Sequence, residues 1–271
     1  MDLKAYLQRI NYEGNLEPFA ETLRNLQLAH LHEVPFENLS IHTGEKLVLT
    51  DEALFDKIVR RRRGGFCYEL NGLFAALLRA LGFDVTMLSA RVADAHGEIG
   101  PDFDHMALMV KLDERWLVDV GFGDSFRNPL LLDDRNEQPD GQRSYWIRAD
   151  GECFSLMQRD FDGETRELYR FNLKSYEYAD YAEMCVYHQT SPDSHFTQKR
   201  ICSRATLAGG RITVADNRLI TTSFDGNREE QELVDEAEFN SALKQHFGIT
   251  LDPNPLVDTR SIMTKIKSLS P

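Results

Sequence analysis

Three residue types that together can make and break an acyl bond occur in the first half of the chain. Cys67 stands within Arg62-Arg63-Gly64-Gly65-Phe66-Cys67-Tyr68-Glu69-Leu70-Asn71-Gly72, His105 opens His105-Met106-Ala107-Leu108-Met109-Val110, and Asp119 closes Arg115-Trp116-Leu117-Val118-Asp119. A thiolate can attack a carbonyl carbon, an imidazole can take and return its proton, and a carboxylate can orient the imidazole. A cysteine, a histidine and an aspartate scattered at random mean little. Their value depends on the elements that carry them.

Cys67 falls where a helix begins. Leu70, Leu73, Phe74, Leu77, Leu78 and Leu81 repeat at i, i+3, i+4, i+7, i+8 and i+11, and Gly82 stands where such a helix ends. Gly64 and Gly65 relieve the backbone just before it. A thiol on the first turn feels unpaired N–H groups and the positive end of the dipole, which favour thiolate. The plainer reading is a small buried hydrophobe, the commoner fate of free cysteine. The partners tip the balance. His105–Leu112 and Trp116–Val120 read as strands around a short polar turn, so a hairpin brings His105 and Asp119 to the same end. Beside His105, the thiol is expected to titrate below the ~8.5 of a free cysteine.

The remaining pattern divides the chain into three. Up to residue 83 the periodicity is helical, with helices starting at Leu3, spanning Glu17 to His32 and running from a capping Asp51 to Arg61 before the Cys67 helix. Residues 84–175 hold short strand-like runs, Asp84–Val92, His105–Leu112, Trp116–Val120, Ser144–Arg148, Cys153–Met157 and Glu167–Phe171, which suggest a barrel or folded antiparallel sheet. Residues 176–271 read as a helix to Tyr187, strands around Cys202–Leu207, Arg211–Ala215 and Arg218–Thr222, and a helix from Asp235 to Phe247. The expected class is α+β.

Composition narrows the function. The chain has 271 residues, 42% of them hydrophobic, enough for a substantial core. A net charge of −13 argues against a nucleic-acid partner. Cys67, Cys153, Cys185 and Cys202 form no CxxC pair, which points to a reducing compartment rather than a disulfide or zinc scaffold. No HExxH or His/Cys spacing suggests a metal. The N-terminus lacks a signal-peptide pattern and no stretch reaches the ~20 apolar residues of a membrane span, so a cytoplasmic location is expected.

Three blocks carry a family resemblance. Arg63-Gly64-Gly65-Phe66-Cys67-Tyr68-Glu69-Leu70-Asn71, Pro35-Phe36-Glu37-Asn38-Leu39 upstream and Leu117-Val118-Asp119-Val120-Gly121-Phe122-Gly123 downstream resemble segments of the arylamine N-acetyltransferases, in order and interval, with His105 between. The resemblance is strong in the first half and weaker beyond. It implies a helical bundle, a β-barrel and an α/β lid around a cysteine-protease-like active-site core. It implies acetyl-CoA as co-substrate, an arylamine, hydrazine or N-hydroxyarylamine as acceptor, and no metal. It also implies that Gly121, Gly123 and Ser125 receive the coenzyme phosphates, although Asp124 beside them would have to point away. Phe36, Val92, Phe122 and Phe196 become acceptor-pocket residues, whereas ordinary core fits Val92 equally well.

From the residues themselves, Arg60–Arg63 reads as a solvated basic helix end, except that Arg63 adjoins the cysteine loop. A Glu37–Arg63 pair buttressing that loop is expected. Two other readings stay open here. A papain-like or transglutaminase-like cysteine hydrolase uses the same triad on water or lysine as acceptor, and a binding module would leave the three residues as coincidental core.

Overall fold

The structure is a computed structural model and describes residues 1–251. The tail 252–271, the end of the third region read from the sequence, lies outside the described residues.

The helical region begins with α1 (Leu3–Arg9), whose Asp2 carboxylate accepts the Ala5 N–H. It continues with α2 (Ala20–Glu33), β1 (Phe36–Glu37), α3 (Leu39–Thr43), α4 (Asp51–Phe55) and α5 (Cys67–Ala80). Thr50, not Asp51, caps α4, and the single helix expected to reach Arg61 changes at Asp56–Arg60 into a π turn. That turn carries Lys57 inward to a buried ion pair with Glu69, 2.7 Å away. Gly82, at φ +92°, ends the α5 run as the sequence expected.

The second region is an eight-stranded antiparallel sheet built from β2 (Asp84–Val92), β3 (His105–Lys111), β4 (Arg115–Val118), β5 (Leu130–Leu131), β6 (Gln138–Asp140), β7 (Arg143–Asp150), β8 (Cys153–Arg159) and β9 (Thr165–Phe171). The order is β5-β4-β3-β2-β9-β8-β7-β6. It curls until the outer strands meet, where the Gln138 amide donates to the Leu131 carbonyl and accepts the Leu131 N–H. Leu88, Ala107, Leu117, Ile147, Leu156 and Tyr169 fill the interior. Met87, Met106, Leu108 and Val110, on the opposite faces of β2 and β3, pack with Leu70, Leu73 and Leu77 of α5. Burial on both faces explains why β3 is almost wholly apolar, and it ties the Cys67 helix to the strand of His105.

The third region comprises α6 (Ala182–Thr190), α7 (His195–Gln198), β10 (Ile201–Ala205), β11 (Arg211–Ala215), β12 (Arg218–Thr222), β13 (Arg228–Glu232) and α8 (Glu236–Phe247). Its sheet runs β1-β10-β11-β12-β13, so the Phe36–Glu37 segment supplies an edge strand, Phe36 opposite Ser203 and Glu37 opposite Cys202. Phe239, Leu243 and Phe247 of α8 pack on Cys202, Val214 and Leu39, each side chain contributing about 2 kcal/mol by burial. Two residues from the helical region thereby complete the sheet of the third. The result is an α+β fold of helices, a nearly closed barrel and an α/β lid.

Candidate active site

Cys67 begins α5 because the chain before it is pinned from two sides. The Phe66 N–H donates to Glu69 Oε2 at 3.1 Å, so the carboxylate one turn in satisfies the helix start. Glu37 N–H donates to the Gly65 carbonyl at 2.8 Å, which makes Phe36 and Gly65 a parallel bridge. A Cβ at Gly64 would overlap the Pro35 carbonyl oxygen, so the two segments approach closer than any side chain permits.

Glu37 and Arg63 meet as the sequence expected, at 2.8 Å, with the carboxylate fully buried. Leu39 N–H at 2.7 Å and Gly64 N–H at 3.3 Å add donors to it. Burial alone would raise the Glu37 carboxyl, but Lys57, Arg63 and the Leu39 N–H outweigh it and hold it below its ordinary value. In the neighbouring Lys57–Glu69 pair the balance reverses, and burial leaves Glu69 above the ordinary range despite the ammonium.

The hairpin brings His105 and Asp119 together, with His105 Nε2 2.7 Å from Asp119 Oδ2 and both side chains buried. Three further donors fix the carboxylate: the Tyr169 hydroxyl to Oδ2 at 3.1 Å, and Asn71 Nδ2 and the Gly121 N–H to Oδ1, each at 2.8 Å. Asn71 also donates to the Met106 carbonyl at 2.6 Å and accepts the Val120 N–H at 2.9 Å. It therefore fastens α5 to both strands of the hairpin. Sequence reasoning assigned neither Asn71 nor Tyr169 a role. The position of Asn71, one turn after Cys67 on the same face, was the available signal. Nothing local marks Tyr169, which arrives from β9.

Around Cys67 the packing is closer still. A Cβ at Gly121 would stand 2.8 Å from the Cys67 Cα, so the strand end lies directly against the helix start. Cys67 is 3% exposed. Burial and the carboxylates of Asp104 and Asp119 push its thiol well above the ordinary value, against the Met106 N–H directed at the sulfur. This reverses the sequence-based expectation. The helix-start argument omitted the cost of burying the thiolate, so ionisation requires the proton to pass to a neighbouring base.

Two aromatic groups adjoin the site. Phe122 packs edge-on to His105 at 5.2 Å and near Tyr169 at 5.3 Å, while Phe196 lies 5.4 Å from Phe66 and 6.2 Å from Phe36. Val92 is half-buried at the end of β2, opposite Tyr169 in the ladder, and belongs to none of the three apolar clusters.

The glycine turn divides in its possible roles. The Gly121 N–H is already spent on Asp119, so its role is close packing rather than donation to a phosphate. Gly123, at φ +90°, turns the chain beside the Phe36 ring. The Ser125 hydroxyl is buried with no hydrogen-bond partner among the described residues. Asp124 is taken up by Arg143 at 2.9 Å and Arg211 at 3.1 Å, and these hold its carboxyl low against the burial that would raise it. Beyond the turn a cleft of about 240 Å³ opens between barrel and lid, lined by Ser125, Arg127, Arg143, Arg211, Phe161 and Phe224.

This chain matches the N-acetyltransferase family model over residues 20–257. It is 35% identical to an arylamine N-acetyltransferase pineal gland isozyme of Gallus gallus, over 93% of this chain and 95% of that one. It is 34% identical to arylamine N-acetyltransferase 1 of Homo sapiens, over the same shares of the two chains. Among solved structures, the Salmonella typhimurium arylamine N-acetyltransferase superposes with a TM-score of 0.87 at 30% identity, covering 98% of this chain and 97% of that one. The Mycobacterium marinum enzyme in complex with CoA gives 0.84 at 33%, covering 92% and 93%. None of these relatives is a cysteine hydrolase. The chain belongs to the arylamine N-acetyltransferase family.

Proposed function

We propose that this protein transfers an acetyl group from acetyl-CoA through Cys67 to a primary arylamine, a hydrazine or an N-hydroxyarylamine. The observation that carries this reading is the buried His105–Asp119 pair, 2.7 Å apart, on the hairpin packed against the first turn of the Cys67 helix. The Cys67 sulfur attacks the thioester carbon as its proton passes to His105, and the tetrahedral intermediate collapses by breaking the carbon–sulfur bond to CoA. The departing thiolate takes the proton from His105. The amine then attacks the acetyl-cysteine, His105 removes a proton from its nitrogen, and Cys67 leaves as the thiol. Exchange between thioesters is nearly isoenergetic, which suits a thiol to this donor. The Cys67 N–H, without an intrahelical partner at the helix start, is the candidate oxyanion donor.

The family resemblance, together with the unpartnered Ser125 hydroxyl, supports Gly123 and Ser125 as the turn that meets the coenzyme, with the arginine-lined cleft receiving its phosphates. Phe36, Phe122 and Phe196 are the aromatic walls for the acceptor. Val92 is the weakest of the four pocket assignments. The test is intact-protein mass spectrometry after acetyl-CoA, which should find one acetyl group on the wild type and none on Cys67→Ala. An acetyl group retained on Cys67→Ala, with turnover, would sink the assignment.

A further inference from the structure

The mechanism above gives no part to Asn38, yet its side chain bridges two regions of the fold. It follows β1, where Glu37 pairs with Cys202 of β10, and it is 2% exposed. One residue past that pair the Asn38 N–H donates to the Ile201 carbonyl at 3.3 Å, and Oδ1 accepts the Ile201 N–H at 2.8 Å. Nδ2 donates to the Phe196 carbonyl at 3.0 Å and to the Lys199 carbonyl at 2.7 Å. These partners fix the orientation of the amide, because a carbonyl only accepts and a backbone N–H only donates. The His42 ring lies 3.2 Å from the same Lys199 carbonyl.

The segment held in this way is short and mostly exposed. None of the four residues of α7 is fully buried. So short a helix cannot pair its own last carbonyls, and Asn38 satisfies those of Phe196 and Lys199. The Thr197 hydroxyl, which donates to the Ser191 and Ser194 carbonyls, acts within the loop, whereas Asn38 reaches it from the helical region. His195, Gln198 and Lys199 are exposed, and Phe196 turns inward. Its ring packs 5.4 Å from Phe66, the residue before Cys67, 6.2 Å from Phe36 and 5.0 Å from His188. It thereby rests on the apolar cluster that includes Cys67. One ring is what this segment brings to the site, and Asn38 holds the backbone that carries it.

We propose that Asn38 is a positioning residue: by holding the Phe196 backbone it keeps that ring over acetyl-Cys67 and protects the acetyl-enzyme from water. The reaction suppressed is hydrolysis. A water oxygen attacks the thioester carbon, the carbon–sulfur bond breaks, acetate departs, and a proton from the water returns to the Cys67 sulfur. Transfer in two steps needs the intermediate to last until the amine arrives. An apolar ring held in place excludes water, and the same ring on a loose segment does not. This inference rests on the acetyltransferase reading and concerns the lifetime of its intermediate alone.

The experiment follows CoA release from acetyl-CoA with no amine present, which gives a burst for acetylation of Cys67 and then a slow linear phase for hydrolysis. In Asn38→Ala the linear phase should run about tenfold faster than in the wild type, the shift in position that one lost hydrogen bond allows. The burst should keep its rate, because none of the Asn38 bonds reaches Cys67 or His105. Phe196→Ala should also speed the linear phase. Adding Asn38→Ala to it should change that phase by less than about twofold, since the ring to be positioned is already gone. Asn38→Leu, which keeps the volume and removes both donors, serves if the alanine variant does not fold. An unchanged linear phase overturns the proposal, and so does a full further effect in the Phe196→Ala background. A burst slowed in step would also overturn it, by making Asn38 part of the frame of the cysteine loop. Absence of any burst from the wild type would instead overturn the acetyltransferase reading beneath it.

Discussion

The Asp119 cluster and the cleft beyond Gly123 treat polar atoms in opposite ways. Around Asp119 almost every group is committed: the carboxylate binds His105, Tyr169, Asn71 and the Gly121 N–H, and Asn71 itself makes three bonds. A few residues further on, the buried Ser125 hydroxyl has no hydrogen-bond partner among the described residues. Groups proposed to hold one geometry through a proton transfer are over-determined, because an imidazole that drifted would lose the alignment that such a transfer needs. Groups that meet a ligand must keep bonding capacity in reserve. An orphaned buried hydroxyl is costly in an idle structure, so Ser125 on the wall of the cleft is suited to meet a ligand.

The largest effect that tests this contrast is removal of the nucleophile or its base. Cys67→Ala should abolish acetyl transfer while melting close to wild type, since one small buried side chain is lost. His105→Gln should be nearly as damaging, and alkylation reads out its cause. In the wild type, iodoacetamide should react near neutral pH because the proton can pass to His105. In His105→Gln that base is gone, and burial and the carboxylates, opposed only by the Met106 N–H, push the thiol upward, so the rate should climb only in the alkaline range. An identical pH profile for the two proteins would separate Cys67 from His105. Asp119→Asn keeps the volume but turns an acceptor into a mixed amide facing three donors besides the histidine. The rate should fall about a thousandfold, measured as single-turnover CoA release.

The Cys67 helix was legible in the sequence because its apolar stripe and terminal glycine agree, and the hairpin because a polar turn separates two apolar runs. What escaped was long-range. β1 is two residues long and exists only because β10 accepts it, so no local pattern announces it. β13, Arg-Glu-Glu-Gln-Glu, is exposed throughout and has no alternation to detect. β5 and β6 are short edges joined through Gln138. In the site, the hairpin spacing led to His105 and Asp119, and the place of Arg63 in the cysteine loop led to its contact with Glu37. Asn71 and Tyr169 stayed hidden because their roles depend on which strand lies beside the helix. The thiol's direction was misjudged for a related reason, since burial is a property of the assembled fold.

Glu37 tests whether the buttress behind the cysteine loop belongs with the committed groups. Glu37→Gln takes the buried carboxylate from the Arg63 guanidinium, leaving it only the Ser40 hydroxyl at 3.4 Å and the Glu45 carboxylate at 3.9 Å, and should cost about 3 kcal/mol in urea unfolding at neutral pH. The pH dependence has a definite sign. Glu37 is held below its ordinary value in the fold, so its contribution is complete above the unfolded carboxyl value of ~4.3 and disappears as pH falls through the lower folded value. The gap between wild type and Glu37→Gln should therefore narrow with acidification below about pH 4. A constant gap would mean that the carboxylate's charge is not what holds the loop.

The smallest expected effect lies on the other side of the contrast, at Arg211. Its guanidinium shares Asp124 with Arg143 and also donates to the Ser203 hydroxyl at 3.1 Å, so it joins the glycine turn to the lid sheet while lining the cleft. If the cleft receives the coenzyme phosphates, Arg211→Gln removes one of their cationic partners but leaves Arg143 to hold Asp124. The KM for acetyl-CoA should rise a few-fold, with kcat nearly unchanged, since a charge-assisted bond far from the sulfur acts equally on ground state and transition state. The acceptor KM should not move. High salt should raise the wild-type donor KM as well and reduce the difference between the two proteins, because screening weakens the same attraction. A fall in kcat with an unchanged donor KM would instead make Arg211 part of the framework that holds Gly123, and would shift the phosphates away from this cleft.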